Sequence, residues 1–524
     1  MSAIVTDQFR ILNASNFVDS VENSDNSYYV FVGLPNPSIV GFGRTTDWDT
    51  DTPDPTDSID YVNHYGDTIV FAKKVTSANV RRVIRRIDWS RGTKYEMYRH
   101  DHSISNQSPL TQSSRLYDAN YYVMNSDYKV YICIDNGSSG ITTAGNASQD
   151  EPTFTDLEPS PAGVSGDGYV WKYLFTVSPS DIIKFDSTEY IALPNSWQSS
   201  TDPQISAVRL NGDSLINENQ IKKVYIDNPG LGYAGGGGQS FNIIGDGSGG
   251  TVVVDVDTLG KISNVQVSSG GKGYTYGMVD LGNINSTASR AAKLMPIIPP
   301  SRGHGYDIYT ELGADKVLVY ARFDDSTKDF PINTKFAQIG IMKNPTSYGS
   351  TSTFTDNQFS SLYSIKINPS SITGSLSVGD KITQSITGGT GGVIGTAVGY
   401  VASYDSETNV VKYFQDRSLY FNPTKQDQTD FKQVSSSAKV LAFESSSYPI
   451  ITTGGFSGAV DTGFSGITTT LSTGKIVSLG SQFTNGLSNP EINKSSGDII
   501  YIDNRPLVSR NSRQKEDVKI ILEF

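Results

Sequence analysis

The chain has 524 residues, with 42 Lys and Arg against 54 Asp and Glu, a net charge of −12, and one Cys. A lone Cys excludes a disulfide-stapled scaffold, and the acidic balance lacks the basic footprint of a general nucleic-acid binder. At about 150 residues per domain the length predicts about three domains, whose cores rest on aromatic bulk, because 29 Tyr and 22 Phe accompany an apolar fraction of only 36%.

Residues Met1–Arg10 have no basic start followed by an apolar stretch, and no segment approaches about 18 consecutive apolar residues. Neither a secretory leader nor membrane insertion is expected. Strand-like runs then follow at 28–32, 68–71, 121–124, 129–134 and 169–175, rich in Tyr, Val, Ile and Phe. Between the second and third, Val80, Val83, Ile84 and Ile87 recur at i, i+3, i+4 and i+7, which predicts a helix ending at Gly92, with Arg81, Arg82, Arg85 and Arg86 on its opposite side. Such a basic face is suited to carboxylates, of a partner or of the chain's own Asp-rich loop.

From 205 to 299 the composition shifts to Gly, Val, Asn and Ser. Ile221, Val224, Ile226, Gly230, Gly232 and Tyr233 return 41 residues later as Ile262, Val265, Val267, Gly271, Gly273 and Tyr274. Each copy reads as an alternating strand entering a Gly-x-Gly-Tyr turn, where Gly supplies positive φ and Tyr packs back over the turn. Two copies predict a small β-sandwich. Ordinary composition returns at 300–345, with strands at 316–320 and 336–341. Residues 346–490 are again Ser/Thr/Gly-rich with short strands such as 391–400 and 410–414, a second β module. The last residues, 499–502 and 518–524, read as strands, the final one pinned into a sheet.

Catalytic and ligand motifs are mostly absent. Gly245-Asp246-Gly247-Ser248-Gly249-Gly250 satisfies G-x-G-x-x-G, but a strand-like Thr251–Val256 follows where a dinucleotide site needs a helix, so it reads as a β-turn. Asp47-x-Asp49-x-Asp51 lacks the Gly and Glu of a calcium loop, having Thr52 and Ser58 at those places, and reads as a solvated acidic loop. His100-Asp101-His102 has no further ligand nearby and reads as a surface loop. His64 is isolated, and His304, between two Gly, reads as a turn residue. No G-x-S-x-G is present. Cys133 lies mid-strand as a small buried hydrophobe. Carboxylates are plentiful, yet nothing singles out an acid/base pair.

Several stretches in one order resemble a single family. They are Ala3–Arg10, Phe42–Trp48 with Pro55–Ser58, Arg85–Trp89, Gly166–Phe175, Phe336–Ile341 with Asn344-Pro345, Gly497–Pro506 and Ile520–Phe524. The family is that of the baseplate wedge subunits encoded by gene eight of T-even-like contractile-tailed bacteriophages. The resemblance spans about 1–204, 300–345 and 491–524 and leaves out the two Gly/Ser-rich modules. It implies a β-rich core with few short helices; with the two Gly/Ser-rich segments read from composition, 205–299 and 346–490, as inserted β-sandwich-like modules, the chain is expected to be mainly β and multi-domain with a discontinuous core.

The resemblance further implies a homodimeric structural component of the virion's tail baseplate, assembled in the host bacterial cytoplasm and contacting other wedge subunits. No enzymatic activity and no cofactor are expected, and tail-fibre proteins are possible partners of the modules. Arg44, Trp48, Arg81, Arg82, Arg85, Arg86, Trp89, Trp171 and Arg505 are the candidate interface or structural residues: Arg as a rigid cation bridging carboxylates, Trp171 as a core anchor. A tail-associated carbohydrate-binding or polysaccharide-depolymerase protein is the alternative.

Overall fold

The computed structural model describes residues 5–34, 52, 54, 62, 65–138, 140, 143–282, 290–324, 330, 334–387, 392–415, 441–494, 496–510 and 514–524. Arg44, Trp48, His64 and most of the acidic stretch 47–60 lie outside them. The protein is mainly β. Its described residues divide into two compact units, one made of 1–18, 80–319 and 520–524, the other of 19–79 and 320–519.

In the first unit, strands Tyr122–Met124, Lys129–Asn136, Tyr169–Thr176 and Ser160–Pro161 form one sheet in that order. These are the Tyr-rich runs of the sequence, and their inward residues build the main core around Trp171, Tyr131, Tyr173 and Trp197. Strand Val80–Arg85 pairs on one edge with Lys316–Val319 and on the other with Tyr190–Ala192. The expected helix at 80–87 is therefore a strand. Helical spacing of four apolar residues was outweighed by pairing on both edges, Val83 standing opposite both Lys316 and Ala192, and β-branched Val80, Val83 and Ile84 suit a strand whose two faces are both covered. At the chain's end Phe524 N–H donates to Asp315 O at 3.2 Å, and its ring lies 5.8 Å from that of Phe17.

Helix Asp7–Glu22 has no counterpart among the expected elements. Its buried Ile11, Ala14, Val18 and Val21 follow helical spacing, a signal present in the sequence but diluted by interleaved polar residues.

The Gly-rich segment forms a four-stranded sheet of order Ile262–Lys272, Ser248–Val256, Gly236–Gly245, Gly277–Val279. Asp246-Gly247 links Gly236–Gly245 to Ser248–Val256, which pair antiparallel as far as Asn242 opposite Thr251, while Ile243–Gly245 pair with Gly277–Val279. The chain enters and leaves through an antiparallel ribbon, Val224–Asn228 with Lys293–Pro296. Period-two alternation gives this ribbon two apolar faces. Val224, Ile226 and Leu294 join the cluster of the Gly-rich sheet, whereas Tyr225 and Met295 join the main core. Helix Pro203–Gly212, capped by Asp202 accepting from the N–H groups of Gln204 and Ile205, places Val208 in the main core.

In the second unit a five-stranded sheet runs in the order Gln358–Phe359, Ile69–Val75, Tyr28–Gly33, Lys335–Lys343, Asp498–Ser509. Phe359 packs edge to face with both Tyr29 and Phe354 over it, and Tyr29 and Phe354 are tilted against each other. A seven-stranded sheet includes Lys381–Thr387, Val393–Asp405 and Val410–Phe414 as neighbours, with its own cluster around Ile365, Val401 and Tyr413.

Candidate functional site

The arginines of strand Val80–Arg85, with Arg86 just beyond it, are each engaged by the rest of the first unit, although Arg85 stays exposed. Arg81 pairs with Asp181 at 2.9 Å and lies over the Phe185 ring; both partners come from helix Pro179–Phe185, which Ser178 caps by accepting from Asp181 N–H. Arg82 is buried with its guanidinium 4.2 Å from the centre of the Tyr309 ring. Arg85 donates to the carbonyls of Asp118 and Ala119, each at 3.1 Å. Arg86 donates through Nε to both oxygens of Asp88, at 2.9 and 3.0 Å, and through Nη1 to Asp186 and the Ser187 carbonyl. Burial opposes its charge, but these carboxylates outweigh it and raise its pKa. On an extended strand such side chains alternate between faces, so the cluster does not form one basic stripe.

Trp171 is fully buried, stacked on Tyr169 at 5.3 Å and edge-on to Tyr95 at 5.8 Å. Trp89 is half-buried and donates Nε1–H to Ser148 Oγ at 3.0 Å. With Met124 and Tyr128 it walls a surface groove of about 300 Å³, rimmed by Arg86, Asp88 and Glu151. Arg505 lies on the edge strand Asp498–Ser509, 3.6 Å from Asp503. Arg44 and Trp48 are outside the described residues.

A larger groove, about 690 Å³, lies where the Gly-rich strand Ile262–Lys272 approaches the main core. Glu158 organises it, accepting from Asn211 at 2.8 Å, Asn219 at 2.6 Å and Lys222 at 2.8 Å. Burial pushes this carboxyl up, and the three donors outweigh that and hold it below its ordinary value. Behind it, fully buried Lys172 donates to Leu157 O at 2.6 Å and to Asn211 Oδ1 at 3.0 Å. Burial, reinforced by the charge of Lys222, lowers its pKa to about 8.

Sequence reading missed two buried polar centres. Glu96 accepts from Ser108 Oγ, from the N–H groups of Leu110, Thr111 and Asn120, and from Thr111 Oγ1. His304 does lie in a turn, but it is buried against Glu311, whose other oxygen accepts from Gly305 N–H at 2.7 Å. Neither centre follows a known motif; the Glu96 donors come from residues 108–120, whereas His304, Gly305 and Glu311 meet within one short stretch whose burial the sequence does not announce. Among the described residues no group of three or more His, Cys, Asp or Glu is placed to hold a metal ion, and no helix is long and apolar enough to cross a membrane.

Fold and side chains together define a β-rich protein of several sheets whose charged residues near the Arg strand are held by the chain's own carboxylates and carbonyls. No protein-family model matches the sequence. The chain is similar to "Baseplate wedge protein gp8" of Enterobacteria phage T4, 27% identical over 230 residues, covering 38% of this chain and 63% of the phage T4 protein. The match therefore spans less than two thirds of that relative's length.

Proposed function

We propose that the chain is a structural subunit of a contractile phage tail baseplate wedge, one that dimerises and bridges neighbouring wedge subunits during baseplate assembly and host attachment. The observation that carries this reading is the similarity to the phage T4 wedge protein over 230 residues. A mainly β scaffold suits it, since sheets offer broad rigid faces for lateral contact. The role is non-catalytic and needs no cofactor. Its partners are a second copy and other wedge subunits, and its place is the tail baseplate after assembly in the host bacterial cytoplasm.

Residues 205–299 and 346–490 are proposed as modules added to a wedge core of 1–204, 300–345 and 491–524, available to tail-fibre proteins. The test is co-expression with the remaining wedge proteins of the same phage, followed by sedimentation of the purified chain and of the mixture. A dimer alone and a larger stoichiometric complex in the mixture are expected; a monomer that joins no complex overturns the reading.

A further inference from the structure

The tight turn between strands Tyr122–Met124 and Lys129–Asn136 holds a bulky residue in an unfavourable conformation. Asn125 N–H donates to Lys129 O at 2.9 Å and Tyr128 N–H to Asn125 O at 3.1 Å, while Asn125 Oδ1 accepts from the N–H groups of Asp127 and Lys129. This closure leaves Tyr128 at φ +59°, a left-handed conformation that favours Gly or Asn and costs other L-residues about 1–2 kcal/mol. Strain of this kind, at a position Gly would fill without cost, points to a use for the side chain.

That side chain walls the 300 Å³ groove with Trp89 and Met124. The groove's identifiable donors are already engaged: Trp89 Nε1 to Ser148, Asn125 Nδ2 to Pro152 O at 2.9 Å, Arg86 Nε to Asp88 and Arg86 Nη1 to Asp186. Acceptors remain. Glu151 takes one N–H, from Ser126 at 2.7 Å, on Oε1, and it forms no ion pair among the described residues. Asp88 is more than half exposed. Among the residues lining the groove, Asp88 and Glu151 outnumber Arg86.

We propose that this groove receives an arginine side chain from a protein partner. A guanidinium carries five donors and no acceptor, matching the open acceptor capacity of Glu151 and Asp88. It also packs favourably on Trp and Tyr rings and pairs with carboxylates. The site stands on its own geometry; that the arginine belongs to another wedge subunit rests on the function proposed above.

The test uses the full chain labelled with 5-fluorotryptophan, the Trp89 resonance being assigned by its loss in Trp89→Phe. Titration with N-acetyl-arginine amide is expected to shift the Trp89 signal saturably, with affinity about fivefold weaker in Glu151→Gln. Tyr128→Gly relieves the backbone strain, so it should melt no lower than the parent while binding the amide more weakly. No saturable shift, an equal response to N-acetyl-norleucine amide, a response to maltose in place of the arginine amide, or unchanged affinity in Tyr128→Gly each overturns the proposal. The titration involves no other wedge protein, so its failure is distinct from failure to co-assemble.

Discussion

Single residues set the pH limits of this fold. Glu96 is 2% exposed, and burial alone would raise its pKa, but donors from Ser108, Thr111, Asn120 and Leu110 outweigh burial and lower it. A carboxyl lowered in the folded state stabilises above its unfolded pKa, about 4.3, and loses that contribution as pH falls through the folded value. Glu96→Gln should therefore cost about 1–3 kcal/mol at pH 7 and flatten the loss of stability below about pH 4, as read from urea midpoints. Lys172 has the opposite sign. Its folded pKa of about 8 lies below the ordinary 10.5, so charging it penalises the folded state fully below about 8, and the penalty lifts as pH rises from there. Urea midpoints between pH 8 and about 9.5 should climb more steeply in the parent than in Lys172→Met. Trp171 tests packing alone: Trp171→Ala should cost about 3–5 kcal/mol in chemical denaturation, because stacked Tyr169 and edge-on Tyr95 lose their common partner. Trp171 was legible as a core anchor from its Tyr-rich strand, whereas Glu96 was not, its donors spanning residues 108 to 120.

At the scale of elements, the 41-residue repeat shows what local sequence can encode. Gly230, Gly232, Gly271 and Gly273 all have positive φ, and Tyr233 and Tyr274 are both buried over their turns. Tyr274 OH donates to Ile243 O at 2.9 Å and accepts from Gly250 N–H, while Tyr233 OH accepts from Ala292 N–H at 2.7 Å. The second turn separates conformational from steric demand. A Cβ at Gly273 would meet nothing closer than 3.9 Å, so Gly273→Ala should cost only the left-handed strain, about 1 kcal/mol. A Cβ at Gly271 would stand 2.5 Å from both Gly250 N and Ser248 O, so Gly271→Ala should lower the melting temperature much further. The strand Val80–Arg85 shows the opposite case. Its apolar spacing matched a helix, yet two neighbouring strands, each more than 100 residues further along the chain, decided its conformation. Strand preference depends on such neighbours more than helix preference does.

At the scale of the molecule, the ribbon Val224–Asn228 with Lys293–Pro296 is the stem that joins the Gly-rich sheet to the first unit's main core, through one face to each. Asn228 and Lys293 are register partners, so an Asn-Gly turn can replace 229–292. With Val224, Ile226 and Leu294 changed to Thr to suit their new exposure, the shortened chain should keep a cooperative melt and the near-ultraviolet signal of the buried tryptophans; loss of both would show that the Gly-rich sheet is needed to fold the core. The sequence by itself determined the mainly β character, the Tyr-rich strands such as Lys129–Asn136 and Tyr169–Thr176, the reversal between strands near Asp246-Gly247 and the buried, isolated Cys133, because alternation, turn chemistry and aromatic content act over a few residues. Only the tertiary structure decided that Val80–Arg85 is a strand, that Arg81, Arg82 and Arg86 turn to partners within the chain, and that Glu96 and Lys172 are buried with hydrogen-bond partners. Those outcomes depend on which distant segments supply the opposing strand, ring or donor, and no local pattern carries that information.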